Sequence, residues 1–368
     1  MEKEPQGIPD KSSQAGSKKA RNKKLARFGI VFAVLGLLLF AYFVRKAGVS
    51  QIIDGIKRLG LGFLLILAIS STRHMVRALA WTKCFEAPYS LRFRDAFAAR
   101  LMGDAVGNIV PLASAAVSEP SKAAFVTNRV PLLASLSAIA LENIFYSLSV
   151  VLFVFSGTTT LLLSFSLPKG LRYASIAALF VTLAFVPLGY LVVRKRLKFV
   201  SGPMSFLYGR GIARAWMEKG IPGAKALEDR IYGFYQGNSN LFAGIFLLEL
   251  CFHAAGVTEI YITLWFISDV VAPTLLTAFV LESVNRVIIV VFKFIPFRTG
   301  VDEGGTGKVS AVLGFTDAIG VTLAIVRKAR DLFWTAVGMA LILRRGLSLK
   351  NLDKVNLDKV NVESTSID

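Results

Sequence analysis

The chain contains little histidine, little cysteine and few acidic residues. Its 368 residues include two histidines, two cysteines, and 24 Asp and Glu against 43 Lys and Arg. Cys84 and Cys251 are too few for a disulfide framework or a cysteine-based metal spacing. His74 and His253 fall in separate apolar runs, and no Ser-His-Asp pattern accompanies them. We therefore expect no metal site and no cofactor.

Apolar residues, in contrast, are abundant: they make up 54% of the chain, and the mean hydropathy is +0.58. A helix needs about 20 apolar residues to cross the hydrocarbon core of a bilayer. The predicted spans are 28–44, 61–81, 132–155, 173–193, 241–267 and 273–294. Two shorter apolar pieces follow at 310–326 and 332–343, as a hairpin or with one of them re-entrant. A less apolar stretch, 96–111, is expected to form a helix that faces protein rather than lipid.

These segments predict an all-α, polytopic membrane helical bundle with about 7–8 transmembrane helices and two re-entrant or broken segments. Residues 1–27 are expected to form a basic cytoplasmic tail, 28–345 the membrane domain, and 346–368 a second polar tail.

The net charge of +19 is explained by the positive-inside rule. Eight basic and three acidic residues lie in 1–27, and nine basic and three acidic residues lie in 194–230. Both segments are predicted to be cytoplasmic, which places the protein in the cell (inner) membrane with its N-terminus inside. Nucleic-acid binding is not expected, because the positive charge is concentrated at helix ends.

Two segments of the chain echo one another. Residues 111–122 read PLASAAVSEPSK, and residues 296–308 read PFRTGVDEGGTGK. Each begins with proline after an apolar run, reaches a Val-polar-Glu triplet that ends at Glu119 or Glu303, and closes on Lys122 or Lys308. Interrupted segments at corresponding positions of two halves are typical of internally repeated transporters, with the site between the halves. Chance similarity is the alternative.

The second segment superficially resembles a nucleotide-binding loop. The glycine-rich loop motif of nucleotide-binding proteins needs glycine where Asp302 stands and Ser or Thr where Val309 follows Lys308. Nucleotide binding is therefore not expected. The composition favours a flexible loop, with a helix beginning near Val309 and hinges at Gly300, Gly304, Gly305 and Gly307.

Four acidic residues fall inside predicted spans, where an ionised group is costly without partners or water. They are Glu142, Glu249, Glu259 and Glu282. Glu282 stands four residues before Arg286, which predicts an ion pair on one helix face. Glu249 and His253 have the same spacing, which favours a hydrogen-bonded pair over a metal site and leaves a proton relay open. Glu259 is expected near the outer interface.

Arg73 and Arg77 lie four residues apart near the end of the second predicted span, so they share a helix face. Arginines at such a position commonly extend to the headgroup interface. A clamp on a lipid phosphate is the functional alternative, because the planar guanidinium suits phosphate.

The chain resembles the transmembrane-region family of lysylphosphatidylglycerol synthase, a flippase-like domain, over about 28–345. The first matching motif comprises Asn108, Pro111 and Ser118-Glu119-Pro120-Ser121-Lys122. The second comprises Pro296, Gly300, Glu303, Gly304 and Gly305, and Arg327 opens the last helical region. The chain departs from the family pattern at Val117 and Ser118, where glycines are common, and at Lys122, where arginine is common.

The resemblance implies lipid translocation or handling rather than aminoacylation, because no aminoacyl-transfer domain follows the last predicted helix. The expected cargo is a polar-headgroup, polyprenyl-linked or hopanoid-type lipid, and the expected partners are membrane lipids and enzymes of lipid or glycolipid synthesis. The residues expected to contact the headgroup are Asn108, Glu119, Lys122, Glu142, Arg298, Asp302, Glu303, Lys308 and Arg327. The alternatives are a membrane-embedded glycosyltransferase or lipid-modifying enzyme, an accessory subunit of a lipid-synthesis complex, and a solute transporter.

Overall fold

The computed structural model describes residues 53–54, 57–109, 114–198, 200–211, 214–237, 239–269, 271–292, 298 and 300–344. Within these residues the regular elements are helices, and no strand is present. The predicted first span at 28–44, both polar tails, Pro111 and Pro296 lie outside the described residues.

The described helices follow one another along the chain with short connections. They are α1 (Gly62–Lys83), α2 (Phe93–Ile109), α3 (Ser114–Ala124), α4 (Leu132–Ser164), α5 (Lys169–Arg194), α6 (Ser201–Gly209), α7 (Arg214–Gly237), α8 (Ser239–Ile267), α9 (Leu275–Val291), α10 (Val301–Val312) and α11 (Asp317–Arg344).

Within the described part of the chain, three helices are long and apolar enough to cross a membrane: α1, α4 and most of α8. They confirm the predictions at 61–81, 132–155 and 241–267. Helix α4 continues to Ser164, and its 33 residues extend for about 50 Å at 1.5 Å per residue. Helices α5 and α9 occupy the segments predicted at 173–193 and 273–294. The chain is therefore a helical membrane bundle, as predicted.

The C-terminal region differs from the prediction of two apolar pieces at 310–326 and 332–343. The chain turns after α10, where Gly314 adopts a φ of +92°, and then forms one helix of 28 residues. The charged stretch 327–331 lies in the middle of this helix. The predicted break there is wrong because the bundle pairs those charges internally.

The glycine-rich segment is also more regular than predicted. Helix α10 begins at Val301 instead of Val309, so Gly304, Gly305 and Gly307 are helical. Gly300 precedes it with a φ of +89°, a conformation that favours glycine. The Gly300 N–H donates a hydrogen bond of 2.8 Å to the Glu303 carboxylate, which caps the helix start.

The helices around the two echoing segments are connected where α11 packs against α2. Helix α2 packs against α3, α10 packs against α11, and α11 crosses α2. Gly338 of α11 lies directly against the Leu101 carbonyl group and Ala105 of α2, where a side chain would not fit. Small residues permit such close helix approach in membranes. The prediction of a protein-facing helix at 96–111 is confirmed, since α2 buries Ala96, Ala99 and Met102.

Candidate functional site

Helices α2 and α3 hold the first of two clusters of paired charges. The Lys122 ammonium lies 2.8 Å from Asp104 Oδ1 and 2.9 Å from Glu119 Oε1. His74 of α1 approaches the other side of the Asp104 carboxylate, with Nδ1 at 3.8 Å from Oδ2. The lysine is buried, whereas both carboxylates are about one-third exposed, at 32% and 30%. We call this group the α2–α3 cluster.

Helices α10 and α11 hold the second group, the α10–α11 cluster. Arg327 Nη2 donates hydrogen bonds of 2.7 Å to Asp302 Oδ1 and 2.6 Å to Thr306 Oγ1. Lys328 pairs with Glu303. Both basic residues are buried, and Glu303 retains 21% side-chain exposure.

The two clusters have similar arrangements of charged residues, which the similarity between 111–122 and 296–308 predicted in part. In each, a short helix carries a glutamate that pairs with a buried lysine, and a second acid lies beside it. The echo aligned Lys122 with Lys308, but Lys308 is exposed, and the structural counterpart is Lys328. A hydrogen bond of 2.9 Å from Asn108 Nδ2 to Thr335 Oγ1 joins α2 to α11 between the clusters.

A chain of arginines and carboxylates connects α9, α1, α8 and α11, and Arg73 occupies its centre. Arg73 lies 3.1 Å from Glu259 Oε2 and 3.4 Å from Glu282 Oε1. Arg286 donates a 2.9 Å hydrogen bond to Glu282, so the predicted i, i+4 pair is confirmed. Arg330 pairs with Glu259. The bundle buries Glu259, which is 2% exposed.

The same chain continues towards the start of α10. Arg330 Nη2 lies 2.7 Å from Asp331 Oδ1, and Arg298 Nη2 lies 3.4 Å from Asp331 Oδ2. Arg298 itself has a positive φ of 52°. These contacts link the arginine–carboxylate chain to the α10–α11 cluster, because Arg327 and Lys328 lie three and two residues before Arg330 on α11.

Arg77 forms a separate inward-facing pair with Glu142 of α4. Its Nε and Nη2 atoms lie 2.7 and 2.8 Å from the two carboxylate oxygens, and Nη2 also reaches Asn143 at 3.1 Å. The guanidinium carbon lies 3.8 Å from the centroid of the Tyr146 ring. Arg100 of α2 donates a further 3.1 Å hydrogen bond to Glu142.

Arg73 and Arg77 therefore do not extend to a headgroup interface, as the commoner interpretation expected. Buried carboxylates on α4, α8 and α9 attract both guanidinium groups into the bundle. Carboxylates already occupy the N–H donors of both guanidinium groups, so neither side chain is open to clamp a phosphate.

The predicted hydrogen bond between Glu249 and His253 is wrong. His253 Nε2 lies 3.1 Å from Ser149 Oγ, and its ring stacks on Phe153 with centroids 4.4 Å apart. Neither oxygen of Glu249 has a hydrogen-bond donor among the described residues. The imidazole therefore bonds to a hydroxyl group of α4 rather than to the glutamate.

Several residues of this interior were not among the sequence-predicted site residues. They are Arg100, Asp104, Thr306, Lys328, Arg330 and Asp331. The available signal was the run RKARD at 327–331 between two apolar stretches. A continuous helix through that run places charges on faces that meet α10, α8 and α1.

Among the described residues, no group of three or more His, Cys, Asp or Glu side chains has the arrangement needed to hold a metal ion. Each cluster has partly exposed carboxylates that can accept hydrogen bonds, and each pairs them with a buried lysine. Such an arrangement can bind the polar part of an amphiphile while the surrounding apolar helices contact its hydrocarbon part.

One family model matches this chain, that of the lysylphosphatidylglycerol synthase TM region, and it covers residues 26–338. No curated protein and no solved structure shows a significant match. The matched region includes both clusters and every described helix except the end of α11. The chain therefore belongs to the lysylphosphatidylglycerol synthase transmembrane-region family, whose members are integral membrane proteins with lipid-related functions.

Proposed function

We propose that this protein moves a lipid with a polar headgroup between the two leaflets of the membrane. The observation that carries the proposal is the pair of clusters, α2–α3 and α10–α11, joined at the contact between α2 and α11. Paired charges across a bundle with an apolar exterior provide a polar route where the bilayer itself provides none.

The dimensions of the two short helices support this proposal. Helices α3 and α10 contain 11 and 12 residues, which corresponds to about 17 Å and 18 Å at 1.5 Å per residue. These lengths are little more than half of the hydrocarbon thickness of about 30 Å. Two short helices that each carry a glutamate can receive a headgroup from either side without either one spanning the membrane.

The exposure of the charged groups indicates what part of a headgroup they contact. Asp104, Glu119 and Glu303 retain side-chain exposures of 32%, 30% and 21%, while Lys122 and Lys328 retain 3% and 1%. A headgroup therefore meets carboxylate oxygens first, and these accept hydrogen bonds. Hydroxyl-rich or ammonium-bearing headgroups fit this edge, and an attached phosphate can then pair with the lysines.

Reconstitution tests the proposal directly. Purified protein is placed in liposomes that contain trace fluorescent lipids with sugar, amine or phosphate headgroups, and an impermeant quencher reports transfer between leaflets. We expect transfer above that of protein-free liposomes for at least one headgroup, and slower transfer for Glu303→Gln, because the amide no longer pairs with Lys328.

Glu218→Gln is the matched control, since it makes the same chemical change at an exposed position on α7. The control is expected to transfer lipid at the wild-type rate. Transfer equal to that of protein-free liposomes for every lipid would refute the proposed function. Turnover of an activated sugar donor in the same liposomes, without transfer, would indicate a membrane-embedded enzyme instead.

We also propose that the protein resides in the cell (inner) membrane with its N-terminus in the cytoplasm. The excess of basic residues in 1–27 and 194–230 supports this orientation. A reporter that is active only in the cytoplasm, fused before residue 1, should be active, and one active only outside should be silent. The opposite result would reverse the topology.

A further inference from the structure

Glu249 is the one intramembrane glutamate of the four predicted to need partners that accepts no hydrogen bond from a described residue. It lies on the spanning helix α8 with 0% exposure, and neither carboxylate oxygen has a donor in the part of the chain that the structure describes. Glu142, Glu259 and Glu282 each accept at least two hydrogen bonds within the described residues. An ionised carboxylate without donors is strongly disfavoured in such an environment, whereas a protonated one is not.

Glu249 lies beside Glu142 at a shared guanidinium group. Arg77 Nε lies 2.7 Å from Glu142 Oε1 and 3.6 Å from Glu249 Oε2. The two carboxylates are therefore neighbours at one guanidinium group. Two carboxylates cannot bond to each other while both are ionised, because like charges at this range repel. A single proton converts the repulsion into a hydrogen bond from Glu249 to Glu142.

The charged and aromatic groups nearest the pair come from α1, α2 and α4. Arg77 and the ring of Tyr146 lie on one side, and Arg100 of α2 lies 3.1 Å from Glu142. All three nearest cationic contacts are directed to Glu142, and Glu249 receives only the longer approach of Arg77.

The other cations nearby are more distant from the pair. Arg73 of α1 and Arg286 of α9 lie over the ring of Phe252, at 4.6 and 4.9 Å from its centroid. Arg330 of α11 pairs with Glu259, which lies ten residues further along α8, or about 15 Å away. These three arginines therefore pair with Glu259 and Glu282 rather than with Glu249.

We propose that Glu142 and Glu249 form a proton-binding site, in which Glu249 carries the proton and Glu142 accepts its hydrogen bond. When the proton leaves to water, the negative charge on Glu249 attracts Arg77 from 3.6 Å into direct contact, so that one guanidinium bridges α4 and α8. The proton is the bound species, and no other bond is made or broken.

The helix that carries Arg77 contacts the helix that carries half of the α10–α11 cluster. Arg77 lies on α1, and α1 contacts α11 through a 2.8 Å hydrogen bond from Trp334 Nε1 to Ser70 Oγ and through the packing of His74 on Trp334. Helix α11 carries Arg327 and Lys328. The proton-binding site does not depend on lipid movement. The proposal that its protonation drives lipid movement rests on the proposed function.

Infrared difference spectroscopy of the purified protein in lipid nanodiscs tests the site. The wild type should show a protonated-carboxyl C=O band at neutral pH that disappears at alkaline pH. Glu249→Gln should lack this band, and Glu259→Gln should retain it, because Glu259 is paired with Arg73 and Arg330. Identical spectra for the wild type and Glu249→Gln would overturn the proposal.

Thermal stability provides a second measurement that does not depend on the band. Glutamine has the size and hydrogen-bonding donor of a protonated glutamate, so Glu249→Gln should melt at or above the wild-type temperature. Glu259→Gln should melt lower, because it leaves two buried arginines short of charge. Equal lowering by both variants would contradict a protonated Glu249.

The coupling is tested in proteoliposomes with an imposed pH gradient. The gradient should accelerate lipid transfer by the wild type and should have no effect on Glu249→Gln. Acceleration that is equal in both would refute the coupling. An infrared band without any lipid transfer would preserve the proton site and refute the proposed function, so the two failures are distinguishable.

Discussion

Replacing Asp302 by asparagine removes the principal counter-charge of a buried arginine. The Arg327 side chain is 3% exposed, and its Nη2 atom lies 2.7 Å from Asp302 Oδ1 and 2.6 Å from Thr306 Oγ1. The Nε and Nη1 atoms have no acceptor among the described residues. The carboxylate of Asp302 is therefore the group that neutralises this guanidinium, and the threonine hydroxyl only adds a dipole.

The size of the effect follows from the burial of the pair. Removing one partner of a buried ion pair costs about 3–5 kcal/mol, because the other charge stays buried and unpaired. Asparagine keeps the shape of Asp302 and one oxygen acceptor, so we expect a loss of about 3 kcal/mol, at the lower end of that range. Adding Arg327→Met removes the remaining charge, and the double variant should regain about 2 kcal/mol relative to Asp302→Asn alone.

Reversible unfolding in mixed micelles, followed by tryptophan fluorescence, measures these free energies. Asp229→Asn is the matched control, because Asp229 is exposed on α7 and such a change should stay within about 0.5 kcal/mol of the wild type. A loss below about 1 kcal/mol for Asp302→Asn, the range of exposed ion pairs, would refute the reasoning. So would a double variant no more stable than the single one.

Three further predictions test packing, capping and exposure. Gly338→Ala should destabilise the protein by about 1–3 kcal/mol, because its methyl group would overlap a carbonyl group of α2. The control Gly233→Ala places a methyl group on a helical glycine with no atom within 4 Å of the added carbon, and it should stabilise the protein by up to about 1 kcal/mol. Equal melting temperatures for the two variants would contradict the close contact. Glu228→Ala should speed hydrogen exchange at the start of α6, because the Glu228 carboxylate accepts hydrogen bonds of 2.7 and 3.0 Å from the amides of Val200 and Ser201. Such caps contribute about 1–2 kcal/mol. Unchanged exchange at these amides would contradict the cap. A membrane-permeant maleimide should modify Cys251, which is exposed on α8, well before the buried Cys84, and mass spectrometry that found the reverse order would contradict the packing of α1 and α8.

Local features of the sequence were sufficient for much of the helical architecture. The apolar segments at 61–81, 132–155 and 241–267 are helical because length and hydropathy depend only on residues near in the chain. The same is true of the pair Glu282–Arg286, whose members are four residues apart on one helix. The helix break expected within 327–331 was wrong because the same charges are compatible with an interface or with a buried, paired interior.

The partners of the buried charges could not be predicted from the sequence. Arg73 and Glu259 are separated by 186 positions, and nothing in the chain distinguishes that pairing from one with another intramembrane acid. The glutamate echo located Glu119 and Glu303, but its lysine alignment selected the exposed Lys308 instead of the buried Lys328.

The sequence by itself determined that this protein is a helical membrane bundle with charged residues inside its apolar segments. The tertiary structure alone decided which charges meet and that α10 and α11 divide at Gly314. It also decided that Glu249 shares Arg77 with Glu142 and has no hydrogen-bond donor among the described residues. The physical reason is one of range. Helix formation and hydropathy act over neighbouring residues, whereas a buried charge is neutralised by whatever group the packing of distant helices places within about 4 Å.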